Sequence, residues 1–176
     1  MTENEKRQFN ETYKKHTEYT AEIIEAANKI TKPLTTELDN CIARVLNAVS
    51  DENGVEMNIS DIEVAALKIP ALCYYLQSKI GDYALRGAID ELMNDGLVIE
   101  QLDKIKGEKG DAREKMKRAE ASCTSDRVAE ALNKQICMNL KEAIVRADKV
   151  YEGIKKILDA RMRENDYNRK SQMYST

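Results

Sequence analysis

The stretch 140-LKEAIVRADKVYEGIKKIL-158 decides the fold. Its apolar residues advance in alternating steps of four and three, which keeps their side chains on one face of an α-helix. We call these positions the seam: Leu140, Ile144, Ala147, Tyr151, Ile154 and Leu158. No proline interrupts residues 125–173, so we predict one long helix of ~45 residues and about 65 Å. An apolar seam on such a helix needs another helix to cover it, and we expect it to form the interface of a homo-oligomer.

A second periodic row on the same helix is cationic. Its members, which we call the basic stripe, recur every seven residues: Lys149, Lys156, Arg163 and Lys170. Cations at this spacing can follow the phosphates of a nucleic acid, and Tyr167 and Tyr174 nearby can stack on unpaired bases. The other interpretation is a solvated helix face whose cations form ion pairs with the carboxylates among them. Both interpretations stay open on the sequence alone.

The composition predicts an all-α protein. Only two prolines and seven glycines occur in 176 residues, and charged residues make up 34% of the chain. With one phenylalanine and no tryptophan, aliphatic seams between helices fit the composition better than one large aromatic core. We therefore predict a long antiparallel helical hairpin or coiled coil with an appended N-terminal helical pair.

One boundary divides the chain into two predicted domains. Residues 1–54 are the helical pair, with helices at 3–31 and 35–50 separated at Lys32-Pro33, because a residue before proline avoids helical angles. Residues 55–176 are the long hairpin, whose first arm is expected to kink or restart at Pro70. Asn94-Asp95-Gly96 either breaks that arm or lies within a continuing helix. The chain reverses near 106-KGEKGD-111 and resumes helix over 112–121 before the long heptad helix.

The reversal also contains the densest group of cations in the chain. The group, which we call the turn cluster, includes the candidate binding residues Lys106, Lys109, Arg113 and Lys117. The glycines between them would allow backbone amides to approach an anion. The pattern matches neither a Walker loop nor a dinucleotide fingerprint, and no strand precedes it. A plain solvated hairpin tip is the alternative.

The inventory of reactive residues argues against an enzyme. The four cysteines (Cys41, Cys73, Cys123 and Cys137) form no CxxC pair, and the single histidine, His16, is far from all of them. Zinc sites need clustered ligands, so we expect no metal and no cofactor. The polar start MTENEKRQ lacks an apolar signal segment, and no window is apolar enough to span a membrane. We expect a cytoplasmic protein with reduced thiols.

Three stretches carry a resemblance to a known family: 69-IPALCYYL-76, 110-GDAREKMKRAE-120 and 147-ADKVYEGIKKILDAR-161. In their organisation they resemble the UvsY-type recombination mediators of tailed phages, over about two thirds of the chain. The resemblance implies a helical, ring-forming protein that binds single-stranded DNA in recombination or replication and helps to load a recombinase. Its location would be the bacterial host cytoplasm. The family has no strict motif to transfer, so the DNA-contact candidates remain the cations named above.

The distribution of charge leaves a different class of function open. Residues 1–100 carry 10 Lys and Arg against 18 Asp and Glu, whereas residues 101–176 carry 18 against 13. The net charges are therefore −8 and +5, so the halves either neutralise each other or face different partners. In the alternative function, a phage-encoded inhibitor binds a host or defence (CRISPR-type) protein through its acidic half. The carboxylates concerned are Asp51, Glu52, Glu56, Asp61 and Glu63.

Overall fold

The chain is all-α, as predicted. The computed structural model describes residues 3–49, 59–123 and 127–173, and the described residues contain four helices and no strand. The helices are α1 (Glu3–Val49), α2 (Ile59–Lys104), α3 (Ala112–Ser122) and α4 (Arg127–Met173). Helix α4 is the predicted long heptad helix, and the reversal at residues 105–111 separates α2 from α3 as expected.

The predicted N-terminal helical pair is wrong, because α1 continues through Pro33 as one helix. A proline inside a helix removes one backbone hydrogen bond and costs about 3 kcal/mol, which is why the sequence suggested an end there. Burial on both sides offsets that cost. Core-facing residues keep the alternation of four and three across the proline: Ala27, Thr31, Leu34, Leu38, Cys41 and Val45.

Helix α2 likewise runs without a break through Pro70 and Gly96. The alternative in which Asn94-Asp95-Gly96 lies within a continuing helix is therefore the observed one. Its inward row again alternates steps of four and three on both sides of the proline: Ile62, Ala66, Ile69, Cys73, Leu76, Ile80, Tyr83, Gly87, Asp90 and Asn94. The predicted domain boundary near residue 54 lies outside the described residues and stays a prediction.

The chain divides into two compact units, each drawing on α1, α2 and α4. Unit 1 consists of Met1–Pro33 and Lys79–Asn139, and unit 2 consists of Leu34–Ser78 and Leu140–Thr176. In unit 1, Asn133 Nδ2 donates to Asp90 Oδ2 over 2.8 Å, and Asn94 Nδ2 donates to Glu130 Oε2 over 3.4 Å. Residue numbers rise along α4 as they fall along α2, so these two helices are antiparallel within this unit.

Unit 2 buries the seam of α4. Leu140, Ala147 and Ile154 are no more than 1% exposed, Ile144 is buried, and Tyr151 and Leu158 are half-buried. Because the chain itself covers these side chains, they form the core of unit 2. This corrects the expectation that the seam supplies an oligomer interface.

Helix α3 is held against the end of α2 in unit 1. Val98, Ala119 and Cys123 form a small buried cluster, with three partly buried residues packed against it: Leu97, Leu102 and Ile105. Asp111 caps the N-terminus of α3, where its Oδ1 accepts the backbone N–H of Glu114 over 2.7 Å. The apolar cluster and the cap together fix the turn between α2 and α3.

Candidate nucleic-acid interface

The basic stripe lies on the outward face of α4. Relative to the seam, its four residues occupy the heptad position opposite the buried row, so each cation points away from the core of unit 2. Lys149, Lys156, Arg163 and Lys170 are all exposed. Consecutive cations are seven residues apart, which is about two turns and about 10.5 Å along the helix. The sequence therefore places these four side chains correctly on one accessible surface.

Within the described residues, none of the four cations has a carboxylate within ion-pair distance. Glu152 lies three residues after Lys149, but it pairs with Lys155 over 2.7 Å instead. The hydrogen bond from Lys155 lowers the pKa of Glu152, and Glu152 in turn raises the pKa of Lys155. Lys155 Nζ also lies 4.5 Å from the centre of the Tyr151 ring. Lys155 thus engages the neighbouring carboxylate and the seam tyrosine, while the stripe stays accessible.

The helical row beside the stripe contains no carboxylate between residues 146 and 170. Its members are Arg146, Gly153, Ala160 and Tyr167. Arg146 pairs with Asp39 on α1 over 3.7 Å within unit 2. Together the two rows form a strip of cations separated by small residues and one aromatic residue. The carboxylates Glu152, Asp159 and Asp166 lie on the other side of the stripe, and Glu164 lies beyond this second row, so the strip itself contains no carboxylate.

Residues 159–170 of α4 are exposed on every side of the helix. All side chains from Asp159 to Lys170 are exposed, including Tyr167 at 74%. Tyr167 follows Arg163 by four residues and precedes Lys170 by three, so its ring shares a face with both cations. The second predicted stacking residue, Tyr174, lies outside the described residues.

The turn cluster is exposed but more engaged with its own carboxylates than the stripe. Lys106 Nζ lies 3.9 Å from Asp103 Oδ1, and Arg118 lies 3.4 Å from Glu108. Lys115 Nζ donates to the Lys106 carbonyl over 2.8 Å. In the described part of the chain, Lys109, Arg113 and Lys117 are the predicted members that have no ion pair. The cluster therefore offers three accessible cations at the turn and on the first half of α3.

Gly110 is the residue that allows this tip to form. Its φ is +141°, a conformation that side chains with a Cβ rarely adopt, and a Cβ there would lie 3.0 Å from Glu114 Oε2. The glycine places Asp111 to cap α3. Gly110 thus has a structural use in reversing the chain.

The groups considered for chemistry do not come together in the described residues. No group of three or more His, Cys, Asp or Glu side chains there could hold a metal ion. All four cysteines are buried, and none of them forms a disulfide. Burial raises the pKa of the Cys41 and Cys73 thiols, which disfavours the reactive thiolate. His16 is exposed on α1.

The acidic surface of the alternative function is only partly described. Asp61 and Glu63 are exposed at the start of α2, whereas Asp51, Glu52 and Glu56 lie outside the described residues. In unit 2, a groove of about 130 Å³ lies between α1 and α2, and Asp61 is part of its lining. Arg44 and Lys68 line it together with Glu37, so its charge is mixed.

Two features of unit 1 escaped the sequence reasoning. One is a polar groove of about 330 Å³ between α2 and α4, lined by Glu91, Asn94, Asp95, Arg127, Glu130, Ala131 and Lys134. The hydrogen bond from Lys134 lowers the pKa of Glu130. The other is an apolar row on the outward face of α2: Leu85, Ile89, Leu92, Met93 and Ile99. Apart from Met93 its members are spaced for one helix face, a signal that the sequence does contain.

Among the described residues, no helix is long and apolar enough to cross a membrane. No protein-family model, curated protein or solved structure matches this chain. The geometry of the stripe and its surroundings is therefore the basis for a functional proposal.

Proposed function

We propose that this protein is a non-enzymatic helical protein that binds single-stranded nucleic acid along the basic stripe of α4. The observation that carries the proposal is the exposure of Lys149, Lys156, Arg163 and Lys170 on one face, without ion-pair partners among the described residues. Positive charge on a helix surface is usually neutralised by nearby carboxylates at i, i+3 or i, i+4. No carboxylate lies within ion-pair distance of a stripe cation in the described residues, although the charge of Lys156 helps to lower the pKa of Glu152. The four cations therefore stay accessible to an external anion.

The charge of this segment favours a polyanion over a single small anion. Between residues 149 and 170 there are seven Lys and Arg side chains and four Asp and Glu side chains, a net charge of +3. Four cations spaced by about 10.5 Å cover about 32 Å, which is far longer than one phosphate group. A flexible single strand can adjust its phosphates to that spacing, and each contact would release condensed counterions.

The exposed ring of Tyr167 favours the binding of single-stranded nucleic acid over the binding of a duplex. Its ring is exposed between Arg163 and Lys170 on the same face. An unpaired base can stack on such a ring, and stacking contributes about 1–3 kcal/mol per base in single-strand-binding proteins. In a duplex the bases already stack on each other, so the ring would have no flat partner.

The turn cluster provides a second contact in this proposal. Lys109, Arg113 and Lys117 are accessible, but Asp103 and Glu108 lie among them. We therefore expect it to contribute less to affinity than the stripe does. The wider biological role, recombination or replication in a phage-infected bacterium by a homo-oligomer, is supported by the resemblance to UvsY-type mediators, which are ring-forming. The inhibitor function gains no specific support from the described residues.

The test is the affinity for a fluorescently labelled single-stranded oligonucleotide, measured by anisotropy over a series of salt concentrations. We expect Lys156→Glu with Arg163→Glu to weaken binding and to flatten the plot of log affinity against log salt by about 1.4. This value follows from the loss of two phosphate contacts at about 0.7 each for single strands. Tyr167→Ala should weaken binding at every salt concentration and leave the slope unchanged.

Two control variants make the same kinds of substitution at exposed residues away from the stripe. Lys14→Glu with Lys15→Glu reverses two exposed cations on α1, and Tyr74→Ala removes another exposed ring. Both should retain wild-type affinity and slope. If the stripe variant and the α1 variant lose affinity equally, only net charge matters and the proposed site is wrong. If the wild-type protein does not bind the oligonucleotide at low salt, the proposed function is wrong.

A further inference from the structure

The outward face of α2 in unit 1 is apolar where a solvated helix face is normally charged. Leu85, Leu92, Met93 and Ile99 are each more than 60% exposed, and Ile89 is 47% exposed. The inward row of the same helix is already packed against α4, as the Asn133–Asp90 and Cys137–Ile80 contacts show. In the described residues, helix α2 of unit 1 therefore has one face packed against α4 and a second, apolar face that stays exposed.

The uncovered face has heptad spacing. Residues 85, 89, 92, 96 and 99 advance in steps of four, three, four and three, which places them in one row. The row consists of Leu85, Ile89, Leu92, Gly96 and Ile99, and we call it the α2 row. A Cβ added at Gly96 would meet nothing within 4 Å, so there is open space above it. This arrangement is typical of a helix that packs against a second helix.

We propose that the α2 row binds the α2 row of a second copy of this chain, with the two helices antiparallel. A two-fold axis near Leu92 brings Leu92 against Leu92 of the second copy. It places Leu85 opposite Ile99 of the second copy, since these positions lie seven residues on either side. Ile89 then meets Gly96 of the second copy, where a large side chain fits the space left by a glycine. The α2 row is thus complementary to an antiparallel copy of itself.

The charges beside the row favour the same direction. Arg86 and Glu100 lie on the same edge of α2, seven residues either side of position 93. In an antiparallel pair Arg86 therefore approaches Glu100 of the second copy, twice by symmetry. A parallel pair would instead bring Asp95 of each copy against Glu100 of the other, and like charges that face each other are unfavourable.

The opposite edge carries Glu91 and Asp95 of both copies, which approach each other in the antiparallel pair. Both residues line the groove that also contains Arg127 and Lys134. Two cations of each copy thus lie beside these carboxylates and offset their repulsion. The proposed dimer does not depend on the stripe, because the α2 row lies in unit 1 and the stripe in unit 2.

The first test is the mass of the full chain by light scattering on a sizing column over a range of concentrations. We expect twice the chain mass of 20.0 kDa for the wild type, and one chain mass for Leu92→Glu, because the two-fold axis brings both new carboxylates together. Leu67→Glu is the matched control. Leu67 is 79% exposed on the same helix, but its antiparallel counterpart would fall beyond the end of α2 at Lys104. The control should keep the wild-type mass, and circular dichroism should show equal helix content in both variants.

The second test establishes direction by disulfide cross-linking. Leu92→Cys alone should cross-link to itself under mild oxidation. Leu85→Cys and Ile99→Cys should each fail to cross-link alone but should cross-link to each other when mixed. The wild type is the control for the native cysteines, which are buried. A monomer at every concentration, a dimer that Leu92→Glu leaves intact, or self-linking of Leu85→Cys would each overturn the proposal.

Discussion

The substitution Ile154→Ala tests whether the seam of α4 is the core of one chain. Ile154 is 1% exposed at the centre of unit 2. The change removes three carbon groups, which at about 0.8 kcal/mol each amounts to about 2.4 kcal/mol of lost transfer free energy. The cavity left behind adds to this loss, and buried Ile-to-Ala changes cost about 2–5 kcal/mol in total. We expect a loss of about 3–4 kcal/mol in the free energy of unfolding.

The measurement is urea unfolding followed by circular dichroism, with a thermal scan beside it. For a chain of this size, such a loss corresponds to a decrease of about 10 °C in Tm. Val145→Ala on the same helix is the control, because Val145 is 53% exposed and its loss should stay within about 0.5 kcal/mol. If the seam is intramolecular, Ile154→Ala keeps the wild-type mass, and its loss of stability is the same at protein concentrations that differ tenfold.

The opposite assignment, in which the seam joins two chains, predicts a different result for Ile154→Ala. If the seam joined two chains, Ile154→Ala would lower the mass on a sizing column. Its stability relative to the wild type would then depend on protein concentration, because subunit association stabilises by mass action. A loss below about 1 kcal/mol together with a lower mass would therefore refute the assignment of the seam to the core of unit 2.

Three further predictions concern the cap, the thiols and the polar groove. Asp111→Ala should lower the free energy of unfolding by about 1 kcal/mol, because the cap of α3 is lost. Asp111→Asn should retain most of the stability that the cap contributes. Equal losses for the two variants in urea unfolding would contradict this. Cys41 and Cys73 should react with Ellman's reagent at pH 8 far more slowly in the native protein than in urea, because burial raises the pKa of both thiols. Rapid labelling of the native protein would contradict this prediction. The lowered pKa of Glu130 adds stability that is present above its unfolded value of about 4.3 and is lost as the pH falls through the folded value. The stability difference between the wild type and Glu130→Gln should thus shrink from pH 7 to pH 3, and a constant difference in urea unfolding would argue against the Lys134 contact.

The sequence determines much of the local structure of this protein. Heptad spacing from Leu140 to Leu158 predicts a long helix and a buried face, and both are present. The glycine-rich turn at 106–111 predicts the reversal, because Gly110 adopts a positive φ that other residues avoid. Exposure of the basic stripe also follows from the sequence, since its position in the heptad is opposite the seam. These properties depend on residues within a few turns of each other.

The prolines show where local reasoning fails. Pro33 carries a local cost that favours a helix end, yet α1 continues because residues on both sides are buried in register. Burial is decided by segments far away in the chain, and these contribute more than one lost hydrogen bond. The spacing of the core-facing residues continues unbroken across each proline. That spacing in the sequence indicates a continuing helix more strongly than the proline indicates a helix end.

What only the tertiary structure decides is which helix covers which face. The seam of α4 and the α2 row have the same kind of spacing, so each alone predicts a helix partner. In the folded chain the seam is buried in unit 2, while Leu85, Leu92 and Ile99 stay exposed in unit 1. The hydrophobic effect requires that apolar faces be covered but does not specify the partner. The partner depends on how the chain reverses and on which helices then lie side by side, and spacing along one helix carries no information about that.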